Sequence, residues 1–144
     1  MARERVVLVD GSALLYRAFF ALPSSLATSA GVPTNATFGF ATMCRKVFAG
    51  KRPAFGAVVF DAPGATFREE RFPAYKAQRP SMPAELRAQL ADVDRVVHAF
   101  GLPSLRVSGY EADDVIATLT REALEAGHEV HIVSGDKDFA QLVG

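Results

Sequence analysis

The sequence lacks two features on which many secreted and membrane proteins depend, paired cysteines and a long apolar run. It has a single cysteine, Cys44, so no disulfide can form within the chain and a reducing interior is expected. No run of about 18 apolar residues is present, which excludes a membrane-spanning helix. The first five residues lead directly into an apolar run without a signal-peptide pattern. We therefore expect a cytoplasmic protein with no membrane partner.

Motifs of several common enzyme classes are also missing. Neither G-x-x-x-x-G-K-[ST] nor G-x-G-x-x-G occurs, which argues against a nucleotide-hydrolysing P-loop and against a dinucleotide cofactor. The tripeptide Gly11-Ser12-Ala13 lacks the spacing of a nucleophile elbow. Phosphorylation of Asp10 is conceivable because this acid ends the first apolar run, but it leaves the other acids of the sequence unexplained.

The charge is balanced overall and unevenly distributed. The net charge is zero, yet residues 1–91 carry twelve Lys or Arg against six Asp or Glu. Residues 92–144 carry four basic and ten acidic side chains. A basic half beside an acidic half suits a nuclease, in which one side binds phosphates and the other binds metal ions. By itself this asymmetry is equally consistent with an ordinary solvated surface.

The length and the apolar pattern indicate one α/β domain over residues 1–144, with a mostly parallel sheet flanked by helices. A chain of 144 residues that is 49% hydrophobic suits a single globular domain. Short apolar runs alternate with helical patterns, which favours parallel strands joined by helical crossovers. Ser12 is expected to cap the first helix. The predicted strands are Arg5–Asp10, Phe55–Phe60, Ser104–Val107 and His128–Val133, and the predicted helices are Ala13–Leu22, Asn35–Phe48, Pro83–Phe100, Ala112–Ala126 and Asp136–Val143.

Seven acids are predicted at the carboxyl ends of strands, where such sheets place their chemistry. Five of them occupy two neighbouring strand-to-helix turns. Acids in the first turn of a helix often serve only to offset the helix dipole, but that role does not account for as many as seven acids at strand ends. So many carboxylates in one crevice resist ionisation unless cations are present, and oxygen ligands suit Mg²⁺ or Mn²⁺. The predicted ligands of a two-ion centre are Asp10, Asp61, Glu111, Asp113, Asp114, Asp136 and Asp138.

A second candidate site is the irregular segment 65–82, in which basic residues alternate with aromatic ones. Such a pattern suits a strand that grips phosphates and stacks on bases, although a mobile surface loop would also fit. We expect residues 63–80 to be mobile without nucleic acid. Lys76 and Arg79 would neutralise charge on a scissile phosphate, and Arg17 lies one turn into the first helix, near the crevice. The predicted nucleic-acid contacts are Arg17, Arg68, Arg71, Tyr75, Lys76 and Arg79.

Five ordered motifs carry a resemblance to a known family. They are Val9-Asp10-Gly11-Ser12 with Arg17, Phe60-Asp61, Tyr75-Lys76-Ala77-Gln78-Arg79-Pro80, Gly109-Tyr110-Glu111-Ala112-Asp113-Asp114 and Ser134-Gly135-Asp136-Lys137-Asp138. The chain thereby resembles the PIN-like 5′-nuclease family, which includes flap endonucleases and the N-terminal 5′→3′ exonuclease domains of bacterial DNA polymerases. The resemblance implies a PIN-like fold, Mg²⁺-dependent cleavage of 5′ flaps, 5′ ends and RNA primers, and binding of two ions by the seven acids. It also implies catalytic roles for Asp10, Asp113, Lys76 and Arg79.

Similar domains continue into a helix-hairpin module that holds duplex DNA, whereas this sequence stops at Gly144. We therefore expect a monomeric, nucleoid-associated piece of a longer polymerase or nuclease whose second metal site is incompletely held. Two alternatives stay open. The chain as given would only bind nucleic acid or metal, or it would be a PIN-type ribonuclease acting on single-stranded RNA, against which the basic segment argues.

Overall fold

The computed structural model describes residues 4–23, 25–49, 53–62 and 82–134. Their strands form a four-stranded sheet in which every pairing is parallel, in the order β3-β2-β1-β4. The two central strands carry continuous apolar runs, as expected for a sheet covered on both faces. The strands are β1 (Arg5–Asp10), β2 (Phe55–Val59), β3 (Ser104–Leu105) and β4 (Glu129–Val133).

Helices cover both faces of this sheet. Alternate side chains of β1 point in opposite directions, so Val7 and Val9 enter one core while Val6 and Leu8 enter another. The first core lies beneath α1, α2, α3 and α4, and the second lies beneath α5. The helices are α1 (Gly11–Ala21), α2 (Asn35–Val47), α3 (Ala84–Arg87), α4 (Leu90–Ala99) and α5 (Ala112–Glu125).

Most of the predicted elements are confirmed, with two corrections. The predicted helix Pro83–Phe100 is two helices, α3 and α4, separated by a turn at Ala88 and Gln89. The two acidic turns are not neighbours in the sheet, because β3 and β4 occupy opposite edges with β2 and β1 between them. The predicted helix Asp136–Val143 and the segment 63–80 lie outside the described residues.

The break between α3 and α4 has a local cause in the side chain of Gln89. Its Nε2 donates a hydrogen bond of 3.0 Å to the carbonyl of Glu85, the acceptor that the backbone N–H of an uninterrupted helix would use. The backbone N–H of Gln89 bonds instead to the carbonyl of Leu86, three residues back. The helix therefore tightens into a turn at Gln89, whose side chain is fully buried.

The same glutamine connects the helices of this layer. Its Nε2 also donates to Oδ1 of Asn35 at 2.9 Å, and its Oε1 accepts from the backbone N–H of Thr37 at 2.9 Å. The Nδ2 of Asn35 in turn donates to the carbonyls of Phe19 at 2.9 Å and Leu22 at 3.3 Å. These contacts join the end of α1, the start of α2 and the α3–α4 junction through buried amides with satisfied partners.

In the described part of the chain, no helix is both long enough and apolar enough to cross a membrane.

Replacement of Gln89 by leucine should destabilise the fold by about 2–4 kcal/mol, since it leaves buried polar groups of Asn35 and Thr37 without their partners. Urea unfolding measures this change. Thr42→Ala is the matched control, because its hydroxyl bonds to the Phe38 carbonyl on the exposed side of α2, and its effect should stay within about 0.5 kcal/mol. Equal stability of Gln89→Leu and the unmodified protein would contradict the role assigned to this network.

Candidate metal centre

The first acid of the centre, Asp10, lies where β1 passes directly into α1. Its side chain is only 7% exposed, and Oδ1 accepts a hydrogen bond of 3.1 Å from the backbone N–H of Ala13. Asp10 is therefore the N-cap of α1, and the prediction that Ser12 has this role is wrong. Gly11 allows the turn to lie against β2, since a Cβ there would come within 2.7 Å of Phe60 and Val58.

The second acid, Asp61, follows β2 and is bonded to two other elements. Its backbone N–H donates to Oγ of Ser12 in the first turn of α1, at 2.9 Å. Its Oδ1 accepts from the backbone N–H of Ala112 at 2.7 Å, although 51 residues separate the two. Asp61 thus connects the ends of β1 and β2 with the start of α5.

The third group of acids forms the start of α5. Oδ2 of Asp114 accepts from the backbone N–H of Glu111 at 3.2 Å, and the Glu111 side chain faces the N–H of Asp114 in return. This reciprocal arrangement is a capping box, which satisfies N–H groups that the first helical turn leaves without partners. Glu111 is buried, whereas Asp113 between the two capping residues is exposed.

Strand alternation explains why these acids meet. Val6 and Leu8 of β1 and Ala57 and Val59 of β2 face α5. Asp10 and Asp61 are the next alternate positions along these two strands, so they lie on the same side of the sheet. Parallel pairing places the two strand ends side by side, with Asp10 opposite Val59. Helix α5 starts over the same face, which brings Asp113 near enough to Asp10 to interact with it electrostatically. Two strands and one helix thus direct three carboxylates towards one region.

The electrostatic cost of this arrangement appears at Asp10. The pKa of Asp10 is raised from its usual value of 3.8 to about 6. Burial is the largest cause, and the neighbouring carboxyl groups of Asp113 and Asp61 contribute in the same direction, whereas the hydrogen bond from Ala13 lowers the pKa. A buried carboxyl group among other carboxyls is stabilised in its charged form by a cation, and a donor set made only of oxygens fits a hard divalent ion.

The carboxylates are not already arranged as a ligand shell. Within residues 4–23, 25–49, 53–62 and 82–134, no three Asp, Glu, His or Cys side chains stand close enough together to hold one ion. Oxygens of Asp10, Asp61 and Asp114 accept bonds from backbone N–H groups instead. Binding of an ion would therefore require these side chains to move closer together, while each carboxylate can keep one oxygen on its N–H donor.

The remaining predicted ligands, Asp136 and Asp138, lie outside the described residues. The strand before them, β4, ends at Val133, which pairs with Val9 next to Asp10. The chain therefore leaves β4 beside the end of β1.

Among the predicted basic contacts, Arg17 lies on α1 and is exposed. Arg68, Arg71, Tyr75, Lys76 and Arg79 are outside the described residues. Arg106 is not among the predicted residues; its guanidinium lies 4.4 Å from the centre of the Phe60 ring and 3.2 Å from Asp94. The contact between Ser12 and Asp61 was not predicted either, because no local pattern encodes it.

A known protein family matches almost the whole chain. The family described as "5′-3′ exonuclease, N-terminal resolvase-like domain" matches residues 5–144. This chain belongs to the 5′-3′ exonuclease family. The resemblance drawn from the five motifs is thereby confirmed.

Two curated relatives illustrate the extent of the match to the 5′-3′ exonuclease family. DNA polymerase I of Pseudomonas aeruginosa is 52% identical over 143 residues, which is 99% of this chain and 16% of that protein. The 5′-3′ exonuclease of Aquifex aeolicus is 46% identical over 140 residues, 97% of this chain and 48% of that protein. The chain thus spans from about a sixth to about half the length of these relatives.

Solved structures share the fold. The 5′-exonuclease of bacteriophage T5 with bound zinc superimposes with a TM-score of 0.58 at 17% identity, over 94% of this chain and 50% of that chain. A complex of the T5 flap endonuclease with DNA and metal ions gives a TM-score of 0.52 at 18% identity, with the same coverage. The predicted PIN-like α/β fold with a mostly parallel sheet is confirmed.

The raised pKa of Asp10 predicts a pH-dependent stability of the metal-free protein. The folded state holds a proton on Asp10 up to about pH 6, while the unfolded chain releases it near 3.8, so ionisation destabilises the fold as the pH rises between these values. Asp10→Asn keeps an oxygen for the N–H of Ala13 and removes the charge. In EDTA it should therefore unfold at a higher temperature than the unmodified protein at about pH 7.5, with little difference at about pH 4.

Asp92→Asn is the matched control, because Asp92 is a partly exposed acid on α4 that pairs with Arg95. Its unfolding temperature should not rise at either pH. Identical midpoints for Asp10→Asn and the unmodified protein at the higher pH would show that the charge of Asp10 carries no cost.

Proposed function

We propose that this chain is the core of a metal-dependent 5′-nuclease, which hydrolyses phosphodiesters at 5′ ends or 5′ flaps of DNA and in RNA primers during replication and repair. The observation that carries the proposal is the convergence of Asp10, Asp61 and Asp113 at the carboxyl ends of β1 and β2 beneath the start of α5. Membership of the 5′-3′ exonuclease family supports the same reaction.

The proposed cofactor is Mg²⁺ or Mn²⁺, with two ions bound. The proposed ligands are Asp10, Asp61, Glu111, Asp113 and Asp114, together with Asp136 and Asp138, which follow β4 along the chain. When bound, such ions supply Lewis acidity that activates water and stabilises the leaving oxygen. The T5 neighbours whose structures contain metal ions support metal dependence.

The chain's own cations would bind the substrate. Lys76 and Arg79 would offset the charge that grows on the scissile phosphate, and Arg17 would contact the phosphate backbone from α1. Arg68, Arg71 and Tyr75 would contact the 5′ strand by charge and by stacking. In this proposal the acids bind the ions and the basic residues between β2 and α3 bind the nucleic acid.

The physiological setting belongs to the same proposal. The relatives that carry this domain at the start of a much longer DNA polymerase I suggest that a polymerase or nuclease remainder, with a module for duplex DNA, completes the protein. The proposed location is the nucleoid, and the proposed state is monomeric. A chain that binds nucleic acid or metal without turnover is the alternative, which an activity assay separates.

Metal binding should raise the thermal stability of the protein. At a Mg²⁺ concentration about 100 times its dissociation constant, a single site adds about 2.7 kcal/mol. The unfolding midpoint of the unmodified protein and of Asp92→Asn should rise with Mg²⁺ or Mn²⁺, and that of Asp10→Asn should rise less. Equilibrium dialysis with Mn²⁺ gives the number of ions. An unfolding midpoint that does not change with either cation at matched ionic strength would contradict the proposed metal centre.

Cleavage of a 5′-flap DNA by the intact protein tests the activity. Asp113→Ala and Lys76→Ala should each lower the rate by about 100-fold or more, because they remove a proposed metal ligand and a proposed stabiliser of the phosphate. Asp92→Ala and Lys46→Ala are the controls of matched charge and should leave the rate unchanged. Preferential cleavage of a single-stranded RNA over the 5′-flap DNA would indicate a PIN-type ribonuclease instead.

A further inference from the structure

Ser12 contacts the candidate metal centre although it carries no charge. It is the second residue of α1 and is half-buried. Its Oγ accepts the 2.9 Å hydrogen bond from the backbone N–H of Asp61. The hydroxyl therefore does not cap its own helix but bonds to the residue that follows β2.

This bond is the first step of a chain of contacts across the site. Ser12 fixes the backbone of Asp61, and Asp61 accepts from the N–H of Ala112 through Oδ1 at 2.7 Å. Ala112 is the first residue of α5, which also contains Asp113. One hydroxyl and one carboxylate thus connect the three elements that carry Asp10, Asp61 and Asp113.

We propose that Ser12 is a positioning residue for the metal centre: its hydroxyl holds Asp61 in the orientation in which the carboxylate serves both the start of α5 and a bound cation. The proposal rests on the proposed metal-dependent nuclease function. Groups that orient ligands commonly change metal affinity by 10–100-fold when they are removed.

The exposure of Asp61 separates this role from a purely structural one. Asp61 is exposed, so water can replace Ser12 as the acceptor for its N–H when the hydroxyl is removed. The fold should therefore lose little stability, whereas the Asp61 side chain gains freedom. Loss of metal affinity without loss of stability is the expected signature of positioning.

The variants Ser12→Ala and Ser12→Thr test the inference in the intact protein. Alanine removes the hydroxyl, and threonine restores an oxygen at the same position. Thr42→Ala removes a hydroxyl that bonds to the Phe38 carbonyl on α2 and is the matched control. Mn²⁺ affinity is measured by electron paramagnetic resonance of the free ion, thermal unfolding is followed in EDTA, and kcat and KM are determined for a 5′-flap DNA.

Ser12→Ala should weaken Mn²⁺ binding by about tenfold and change the metal-free unfolding midpoint little. Its rate should recover as Mn²⁺ is raised, with an unchanged KM for DNA. Ser12→Thr and Thr42→Ala should bind Mn²⁺ as the unmodified protein does.

Two results would overturn the inference: normal Mn²⁺ affinity in Ser12→Ala, or an equal loss in Ser12→Thr. A fall in the unfolding midpoint of Ser12→Ala that accounts for its weaker binding would assign the hydroxyl to the fold alone. If the unmodified protein neither binds Mn²⁺ nor cuts the flap, the proposed function itself fails, and this outcome is distinguishable because it does not depend on Ser12.

Discussion

Carboxylates held close together at the end of a parallel sheet repel one another, and the rest of the structure depends on how that repulsion is offset. Backbone N–H groups at the starts of two helices donate hydrogen bonds to these carboxylates. Ala13 donates to Asp10, Ala112 donates to Asp61 and Glu111 donates to Asp114. The positive ends of the helix dipoles act in the same direction. Burial, and to a smaller extent the nearby carboxyl groups of Asp113 and Asp61, still raise the pKa of Asp10.

The same hydrogen bonds therefore build the fold and prepare the site. Asp61 holds the first residue of α5 in place, so the helix that carries Asp113 starts where β1 and β2 end. A cation that binds these carboxylates shares them with the N–H donors, because each carboxylate has two oxygens. Metal affinity in such a centre is a difference between two sets of contacts, and neutral groups such as the Ser12 hydroxyl influence it by limiting how the acids move.

The opposite layer of helices is fixed by amides instead of charges. Gln89 and Asn35 join α1, α2 and the α3–α4 junction in the interior, with their polar atoms paired to one another and to main-chain carbonyls. Helix α1 begins at Asp10, and α3 follows the segment that contains Lys76 and Arg79 along the chain. This buried network thus helps to hold α1, the helix that begins directly after Asp10, in its place against the sheet.

The sequence alone determined the parallel α/β fold, the strands that end in Asp10 and Asp61, and the acidic start of α5, because apolar periodicity and strand-end acids are local features of the chain. It also gave the family, since five short motifs in order carry that information. Strand order was decided only by the tertiary structure: β3 and β4 follow one another along the chain but lie at opposite edges of the sheet. The pairing of Gln89 with Asn35 and Thr37 and the bond from Asp61 to Ser12 were likewise decided by contacts between residues 49–54 positions apart, which no periodicity within one element can specify.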